Sequence, residues 1–155
     1  MKKKKLKKLK RDLMPNKLKK AKKDLEKISH DYIRRRDSRR SEIIAGNCFD
    51  CGKWVEGSDA QCGHWIPSGS GGAILRYHPQ NMNLQASGCN CGYNQEMVKI
   101  RYTQAMYQKY DEKRCTELVA LKNRTIKADI LFYLKMIELY EAGNEEAIIT
   151  YLESL

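Results

Sequence analysis

Cysteines crowd one stretch in the middle of this chain. Cys48 and Cys51 are separated by two residues and followed by a glycine, and Cys89 and Cys91 form the next closely spaced pair. Two thiolates on a tight turn are a common half of a tetrahedral zinc site, and glycine supplies the backbone angle that such a turn needs. The pattern predicts a structural zinc ion bound by Cys48, Cys51, Cys89 and Cys91, with Cys62 as the rival for the fourth position.

His64 lies between the two cysteine pairs and could carry out chemistry of its own. A neutral imidazole near pH 7 can take a proton from water, although an isolated histidine is more often a satisfied surface or core residue. Mg²⁺ prefers oxygen ligands and keeps several waters, so one or two protein ligands can suffice. The stretch therefore predicts a second, catalytic metal, Mg²⁺ or Mn²⁺. The nearby amide oxygens that could bind it belong to Asn81, Asn83 and Asn90.

The six cysteines could instead indicate a secreted protein with disulfides. The chain is long for that class and rich in lysine, and its cysteines are paired too closely to bridge distant segments. We therefore expect an intracellular protein. Cys115 stands alone in a helical stretch and is predicted to be a buried, unmetallated thiol.

The elements that position these residues can be predicted in outline. Residues 46–95 show poor periodicity and short apolar runs, so they could not fold on burial alone and a structural metal is plausible there. Short strands are expected over residues 60–66 and 73–77. Thr125 is a plausible N-cap and Gly143 a plausible stop for the strongest helix. Helices are predicted over residues 24–44, 95–112, 113–122, 127–142 and 145–152.

The net charge of the chain is +11 and is concentrated at its N-terminus. Residues 1–40 carry 19 basic and 5 acidic side chains. Such a block binds polyanions, most often nucleic acid, through release of condensed counterions, and an anionic membrane surface is the competing partner. Residues 1–23 are predicted to be a disordered, lysine-rich tail. No apolar run is long enough to span a membrane, and the N-terminus does not resemble a signal peptide.

Arginines cluster toward the end of the helix predicted over residues 24–44. The planar fork of donors on arginine suits phosphate oxygens, so we expect this cluster to contact the DNA backbone. The alternative is an ordinary surface helix whose arginines pair with Asp31 and Asp37. The cluster consists of Arg34, Arg35, Arg36, Arg39 and Arg40.

In their order and spacing, these residues resemble the NinG/Rap family of lambdoid phage recombination proteins. The members of that family are Holliday-junction and branched-DNA endonucleases related to the HNH, or ββα-metal, nucleases. The resemblance covers roughly residues 25–140. It rests on Tyr32-Ile33-Arg34-x-Arg36-Asp37, Cys48-x-x-Cys51-Gly52, Cys62-Gly63-His64-Trp65, Arg76-Tyr77, Asn81, Gln85 and Cys89-Asn90.

The resemblance implies a role for each matching residue. His64 would be the general base that activates water, and Arg76 would hold the scissile phosphate. Asn90 would bind the catalytic metal. Asn81 would stabilise the adjacent loop or bind that metal, and Glu96 is a further candidate ligand.

This chain departs from the family pattern at two positions. The family usually has a cysteine where this chain has Ala86, and Cys91 stands nearby instead. Many members have a histidine where this chain has Asn83. The first departure leaves the fourth zinc ligand open, and the second argues against a full His-Asn-His triad.

Together, these observations predict an α+β protein. Its small zinc-stabilised ββα-metal core, HNH-like or treble-clef-like, would be flanked by α-helices and preceded by a basic tail. The expected function is that of a divalent-metal-dependent, structure-selective endodeoxyribonuclease that hydrolyses phosphodiester bonds in branched DNA. The predicted divisions are residues 1–23 (tail), 24–44 (basic helix), 45–112 (nuclease core) and 113–155 (C-terminal helical region).

Two expectations about partners accompany this prediction. Junction resolution requires two coordinated cuts, so we expect a homodimer, with the C-terminal helices as one possible interface. We expect the protein in the host cytoplasm, associated with the nucleoid. The alternatives are a non-catalytic zinc-finger DNA-binding accessory protein and a membrane-surface or RNA-binding protein driven by the lysine tail.

Overall fold

A long N-terminal helix, α1 (Lys2–Arg36), supports the rest of the protein. The computed structural model describes residues 2–92 and 94–155, and the side chains from residue 14 onward. The expectation of a disordered tail over residues 1–23 is corrected, because α1 begins at Lys2 and continues through Pro15. The helix expected to reach residue 44 ends at Arg36. The side chains of the first thirteen residues of the predicted tail lie outside the described part.

Helix α1 packs against a C-terminal helix, α6 (Ile130–Ala142). Leu25 and Ile33 are fully buried on α1 and belong to the main hydrophobic core. The rings of Tyr32 and Tyr140 meet edge to face, with their centroids 5.4 Å apart. Burial of such side chains is the main favourable contribution to folding. The contact between the first and last thirds of the chain therefore forms the base on which the middle segment rests.

Two two-stranded antiparallel sheets form the middle segment, and the protein is α+β as predicted. In the second sheet, Gly63 lies opposite Asn83. The expectation of a strand over residues 60–66 is confirmed in part. The strands are β1 (Ala45–Asn47), β2 (Trp54–Glu56), β3 (Ala60–His64) and β4 (Met82–Ala86).

The strand predicted over residues 73–77 is wrong. This segment forms a short helix, α2 (Gly72–Arg76), and the partner of β3 is instead β4. The consecutive residues Ile74 and Leu75 are both buried, which a strand with one buried face does not allow. Strand β4 escaped prediction because its amide side chains suggested a polar segment, whereas all five of its residues are buried.

The helices from residue 95 onward follow the predicted order, with different ends, whereas the short helix at residues 87–91 was not predicted. The N-cap of α6 is Asp129 and not Thr125, because the Asp129 carboxylate accepts hydrogen bonds from the amides of Leu131 and Phe132. Gly143 ends α6 in the left-handed conformation, as predicted. Among the described residues, no helix is both long and apolar enough to cross a membrane. The other helices are α3 (Ser87–Cys91), α4 (Gln95–Lys109), α5 (Glu112–Ala120) and α7 (Glu145–Glu153).

His78 ties the loop before β4 to the last helix. Its ring is fully buried, Nδ1 accepts a hydrogen bond from the Gln80 amide, and Nε2 donates to the Glu153 carboxylate at 3.2 Å. Burial lowers the pKa of His78 to about 4, although the neighbouring carboxylate opposes this. The ring is therefore neutral at pH 7 and carries its proton on Nε2.

This burial predicts a pH dependence of stability. A lowered folded-state pKa means that the unfolded chain binds more protons between pH 6.5 and about 4, so the folded state loses stability as the pH falls through that window. The loss attributable to His78 has an upper limit of about 3 kcal/mol. Urea unfolding of the His78→Gln variant, which keeps a donor for Glu153, should show a shallower pH dependence than the parent. Identical pH profiles would contradict this prediction.

Candidate metal centre and adjoining cleft

Three of the predicted zinc ligands lie together in the structure. Cys48 and Cys51 come from the turn between β1 and β2, and Cys89 comes from α3. Asp50 joins them, and the four donor atoms lie within 4.8 Å of one another. The sulfur atoms of Cys51 and Cys89 are 3.6 Å apart, close to the roughly 3.8 Å that tetrahedral zinc imposes on two sulfurs with bonds of about 2.3 Å. This group could therefore hold a metal ion such as zinc.

The backbone of the turn explains why the thiols converge. The Gly52 amide donates to the Cys48 carbonyl at 2.9 Å, and Gly52 adopts a φ of +74°, which favours glycine. The Ala86 amide donates to Cys48 Sγ at 3.2 Å and so connects the turn to β4. Burial raises the pKa of the Cys48 thiol, so forming its thiolate requires a nearby cation. A bound metal ion would supply that cation.

The Asp50 carboxylate is a candidate ligand that sequence reasoning missed. Its side chain is shielded from solvent and accepts hydrogen bonds from Gln85 Nε2 at 3.2 Å and from Arg101 Nη2 at 3.1 Å. Burial raises the pKa of Asp50, but hydrogen bonds from Cys48, Gln85 and Arg101 outweigh it and hold the pKa below the usual value. Asp50 is therefore an ionised oxygen donor facing three sulfurs.

Neither cysteine predicted for the fourth position belongs to this group within the described part of the chain. Cys91 is exposed, and its sulfur lies 3.6 Å from Gln61 Oε1. Cys62 is buried in the main core, where burial raises the pKa of its thiol. Among the described residues, Asp50 and not Cys91 lies with the three cysteines, and Cys91 as the fourth zinc ligand stays a prediction. The sequence did contain a signal, since an aspartate stands between the two cysteines of the turn.

Gln85 connects this metal group to β3. Its side chain crosses Gly63 on the neighbouring strand so closely that a Cβ atom there would lie 1.8 Å from Gln85 Oε1. Only glycine leaves room for this crossing, after which Gln85 reaches Asp50. One amide side chain thus joins the strand of His64 to the metal group.

His64 and Asn90 line one cleft of about 310 Å³, together with Gln85 and Cys89. His64 Nε2 lies 3.0 Å from the Arg76 carbonyl oxygen, which can only accept, so Nε2 carries the proton and Nδ1 keeps its lone pair. Burial lowers the pKa of His64 to about 4, which keeps the ring neutral at pH 7. His64 is therefore present in the form that can accept a proton.

Asn90 occupies the edge of this cleft. Its Nδ2 donates to Gln61 Oε1 at 3.0 Å and lies 3.5 Å from the Cys62 carbonyl oxygen. Among the described residues, no hydrogen bond is formed to Asn90 Oδ1. Gln61 lines the adjoining groove between α1 and β3 and not the cleft that holds His64, so Asn90 Oδ1 is the amide oxygen at this edge of the cleft. Oxygen donors of this kind suit a hard cation such as Mg²⁺.

The amides of Asn81 and Asn83 are occupied within the fold. Asn81 accepts a hydrogen bond from the Ile66 amide at 2.9 Å and donates to two backbone carbonyls, so it braces the loop around α2. Asn83 accepts from Lys109 at 2.8 Å and donates to Tyr102, deep in the core. Neither residue lines the cleft that holds His64.

Arg76 and Glu96 also lie apart from the cleft lining. The Arg76 guanidinium pairs with Glu26 on α1 at 3.1 Å, while its carbonyl orients His64. Glu96 is exposed in the first turn of α4. Arg76 therefore contributes to the cleft through its backbone carbonyl, while its side chain is held on α1 by Glu26.

The arginines predicted to bind DNA fall into two groups, those bonded within the fold and those exposed to solvent. Arg36 is largely buried and bonds Asp37 and Glu145, so it stabilises the fold. Arg34 donates to the carbonyls of Ala60 at 2.7 Å and Gly57 at 3.1 Å, which fixes β3 on α1. The exposed members of the cluster are Arg35, Arg39 and Arg40.

Comparison with known proteins adds one finding. The family model described as Bacteriophage Lambda NinG protein matches residues 1–147. No curated protein and no solved structure gives a significant match to the chain. The match covers nearly the whole chain and indicates a protein related to phage recombination.

The metal group predicts a specific effect of Asp50. Replacing Asp50 with Ala should weaken zinc binding at least 10-fold, because it removes a ligand and leaves Arg101 unpaired. Asp50→Cys, which replaces the carboxylate with a fourth sulfur, should bind zinc at least as tightly as the parent. Competition with a chromophoric chelator measures both affinities, and Cys91→Ala is the matched control. A loss of zinc in Cys91→Ala but not in Asp50→Ala would refute the assignment.

The crossing of Gln85 over Gly63 makes a second prediction. Gly63→Ala should destabilise the protein by about 1–3 kcal/mol in denaturant unfolding, because the new methyl group displaces Gln85 from Asp50. Gly69→Ala, where a Cβ meets nothing within 4 Å, is the control and should change stability by less than about 0.5 kcal/mol.

A double-mutant cycle tests the cause of this effect. In the Gly63→Ala background, where Gln85 is already displaced, Gln85→Ala should lower the free energy of unfolding by less than it does in the parent protein. Additive costs would show that the two side chains act independently.

Proposed function

Because this chain belongs to the bacteriophage lambda NinG family, we propose that it is a divalent-metal-dependent endonuclease that cleaves branched DNA, such as Holliday junctions. The observation that carries the proposal is the state of His64. Its lone pair is on Nδ1, its ring is neutral, and it lines the same cleft as Asn90. A neutral imidazole with a lone pair can accept a proton from water, and an amide oxygen in the same cleft can bind a metal ion that assists hydrolysis of a phosphodiester.

In the proposed reaction, His64 Nδ1 takes a proton from a water molecule in the cleft. The water oxygen forms a bond to phosphorus while the bond from phosphorus to the 3′ oxygen breaks. The Arg76 carbonyl holds the ring through Nε2, so the lone pair keeps its direction during the transfer. Asn90 is the residue that would hold Mg²⁺ or Mn²⁺, which would stabilise the developing charge on the phosphate and on the leaving oxygen.

Zinc would have a structural role in this scheme. Cys48, Cys51, Cys89 and Asp50 would hold it, and Cys89 directly precedes Asn90 in the chain. An HNH-like, ββα-metal core is supported by the order of elements, in which the antiparallel pair β3–β4 is followed by α3 and α4. The metal group would hold the middle of α3 through Cys89 and so fix the position of Asn90, the next residue.

The proposal includes a homodimer, since cutting a junction requires two active sites. Leu131 and Leu134 on α6 support it, because their side chains are 70% and 52% exposed although both are large and apolar. The C-terminal helices would then form the interface.

A non-catalytic zinc-dependent DNA-binding protein is the second candidate. The pairing of the Arg76 side chain with Glu26 favours it, because this arginine is then not available to hold a phosphate. Mg²⁺-dependent nicking of branched DNA by the purified protein would separate the two candidates.

The endonuclease proposal predicts that His64→Gln cleaves a four-way DNA junction at least 100-fold more slowly than the parent, because the general base is lost. Its zinc content and its affinity for the junction in the absence of Mg²⁺ should be unchanged. His78→Gln is the matched control, since it replaces another buried histidine that lies outside the cleft, and it should cleave normally at pH 7.5. Parental cleavage by His64→Gln would remove His64 from the mechanism.

A further inference from the structure

A basic stripe runs along one face of α1. Its members are spaced alternately by three and four residues, so they lie one above another on the helix surface. They face away from Leu25 and Ile33, which are buried against α6. At 1.5 Å per residue the stripe is about 21 Å long. The basic stripe consists of Lys20, Lys23, Lys27, His30 and Arg34.

The C-terminal end of the basic stripe forms one wall of a second groove, of about 560 Å³, between α1 and β3. Lys27, His30 and Arg34 line it from α1, together with Asp31. Asn90 lines this groove and also the cleft that holds His64. The groove and the cleft are therefore adjacent, with Asn90 between them.

Charge and rigidity at this end of the stripe suit a phosphate backbone. Arg34 is held by two backbone carbonyls and by Asp31 at 3.3 Å, so its guanidinium has a fixed position at the groove. Lys27 is exposed and adds a mobile positive charge. The rings of His30 and His64 lie 5.6 Å apart, which shows how close the stripe comes to the proposed base.

We propose that the basic stripe and its groove hold the sugar–phosphate backbone of one duplex arm, and that they lead its strand to the phosphodiester beside Asn90. This inference rests on the proposed nuclease function and adds the path of the substrate to it. A stripe of about 21 Å matches about six nucleotide steps of 3.4 Å on one strand. Contacts of this kind position the duplex without selecting a base sequence.

The residues of the basic stripe differ from the other lysines of α1 in the face of the helix on which they lie. Lys17 and Lys22 are also exposed lysines of α1, but the helical repeat of 100° per residue places them on other faces. A general electrostatic attraction would use them equally. A defined path would depend on Lys23 and Lys27 much more strongly.

Two double variants of equal charge test this difference. Lys23→Gln/Lys27→Gln removes two positive charges from the stripe, and Lys17→Gln/Lys22→Gln removes two from elsewhere on α1. Both are measured as full-length, zinc-loaded protein in the His64→Gln background, by fluorescence anisotropy with a four-way DNA junction at several salt concentrations. Circular dichroism and zinc content verify that both variants are folded.

The stripe variant should bind roughly 10-fold more weakly near 0.15 M salt, and its slope of log affinity against log salt should fall by about 1.8, which corresponds to two lost phosphate contacts. The control variant should bind within about twofold of its parent. Equal losses in both variants, or no loss in the stripe variant, would overturn the inference.

The binding experiment that tests the substrate path can succeed or fail independently of the cleavage experiment that tests the nuclease function. Selective loss of affinity in the stripe variant would support the path even if His64→Gln were to cleave normally, because the binding assay needs no chemistry. Equal losses in the two double variants together with a cleavage defect in His64→Gln would overturn the path and leave the nuclease function standing.

Discussion

The geometry of the candidate metal group depends most on the buried carboxylate of Asp50. A buried charge is costly unless it is paired, and here Gln85 and Arg101 each donate a hydrogen bond to it. These donors come from β4 and α4, whereas Asp50 itself lies on the turn between β1 and β2. One carboxylate thus connects the turn between β1 and β2 to β4 and α4 by hydrogen bonds, in addition to the apolar side chains that β4 and α4 bury. A metal ion in the same group would add three sulfurs to that connection.

The same connection determines the geometry of the cleft. Gln85 reaches Asp50 only by crossing Gly63, which immediately precedes His64 on β3. On the other side, Cys89 faces the metal group and the next residue, Asn90, faces the cleft. The proposed base, His64, therefore follows the glycine that Gln85 crosses. The proposed ligand of the catalytic metal, Asn90, follows a cysteine of the metal group.

The helices were predictable because their apolar residues recur at helical intervals over ten or more positions, as in α4 and α6. The metal-binding turn was predictable because Cys48, Cys51 and the following glycine form a local signal. Strand β4 was not predictable, because its buried amide side chains find hydrogen-bond partners only in the folded protein. Asn83, for example, donates to the Tyr102 hydroxyl, which is distant in sequence. Asp50 was missed although it stands between Cys48 and Cys51, because its hydrogen-bond partners Gln85 and Arg101 are distant in sequence.

Amide hydrogen exchange, compared between zinc-loaded protein and protein stripped by a chelator, tests most directly whether the metal group organises the cleft. The amides of β3, β4 and α3 should exchange much faster after stripping, while those of α6, which packs on α1, and of α7, which packs on α6, should keep their protection. Unchanged protection of β3 and β4 in metal-free protein would contradict the claim that the metal group holds His64 and Asn90 in place.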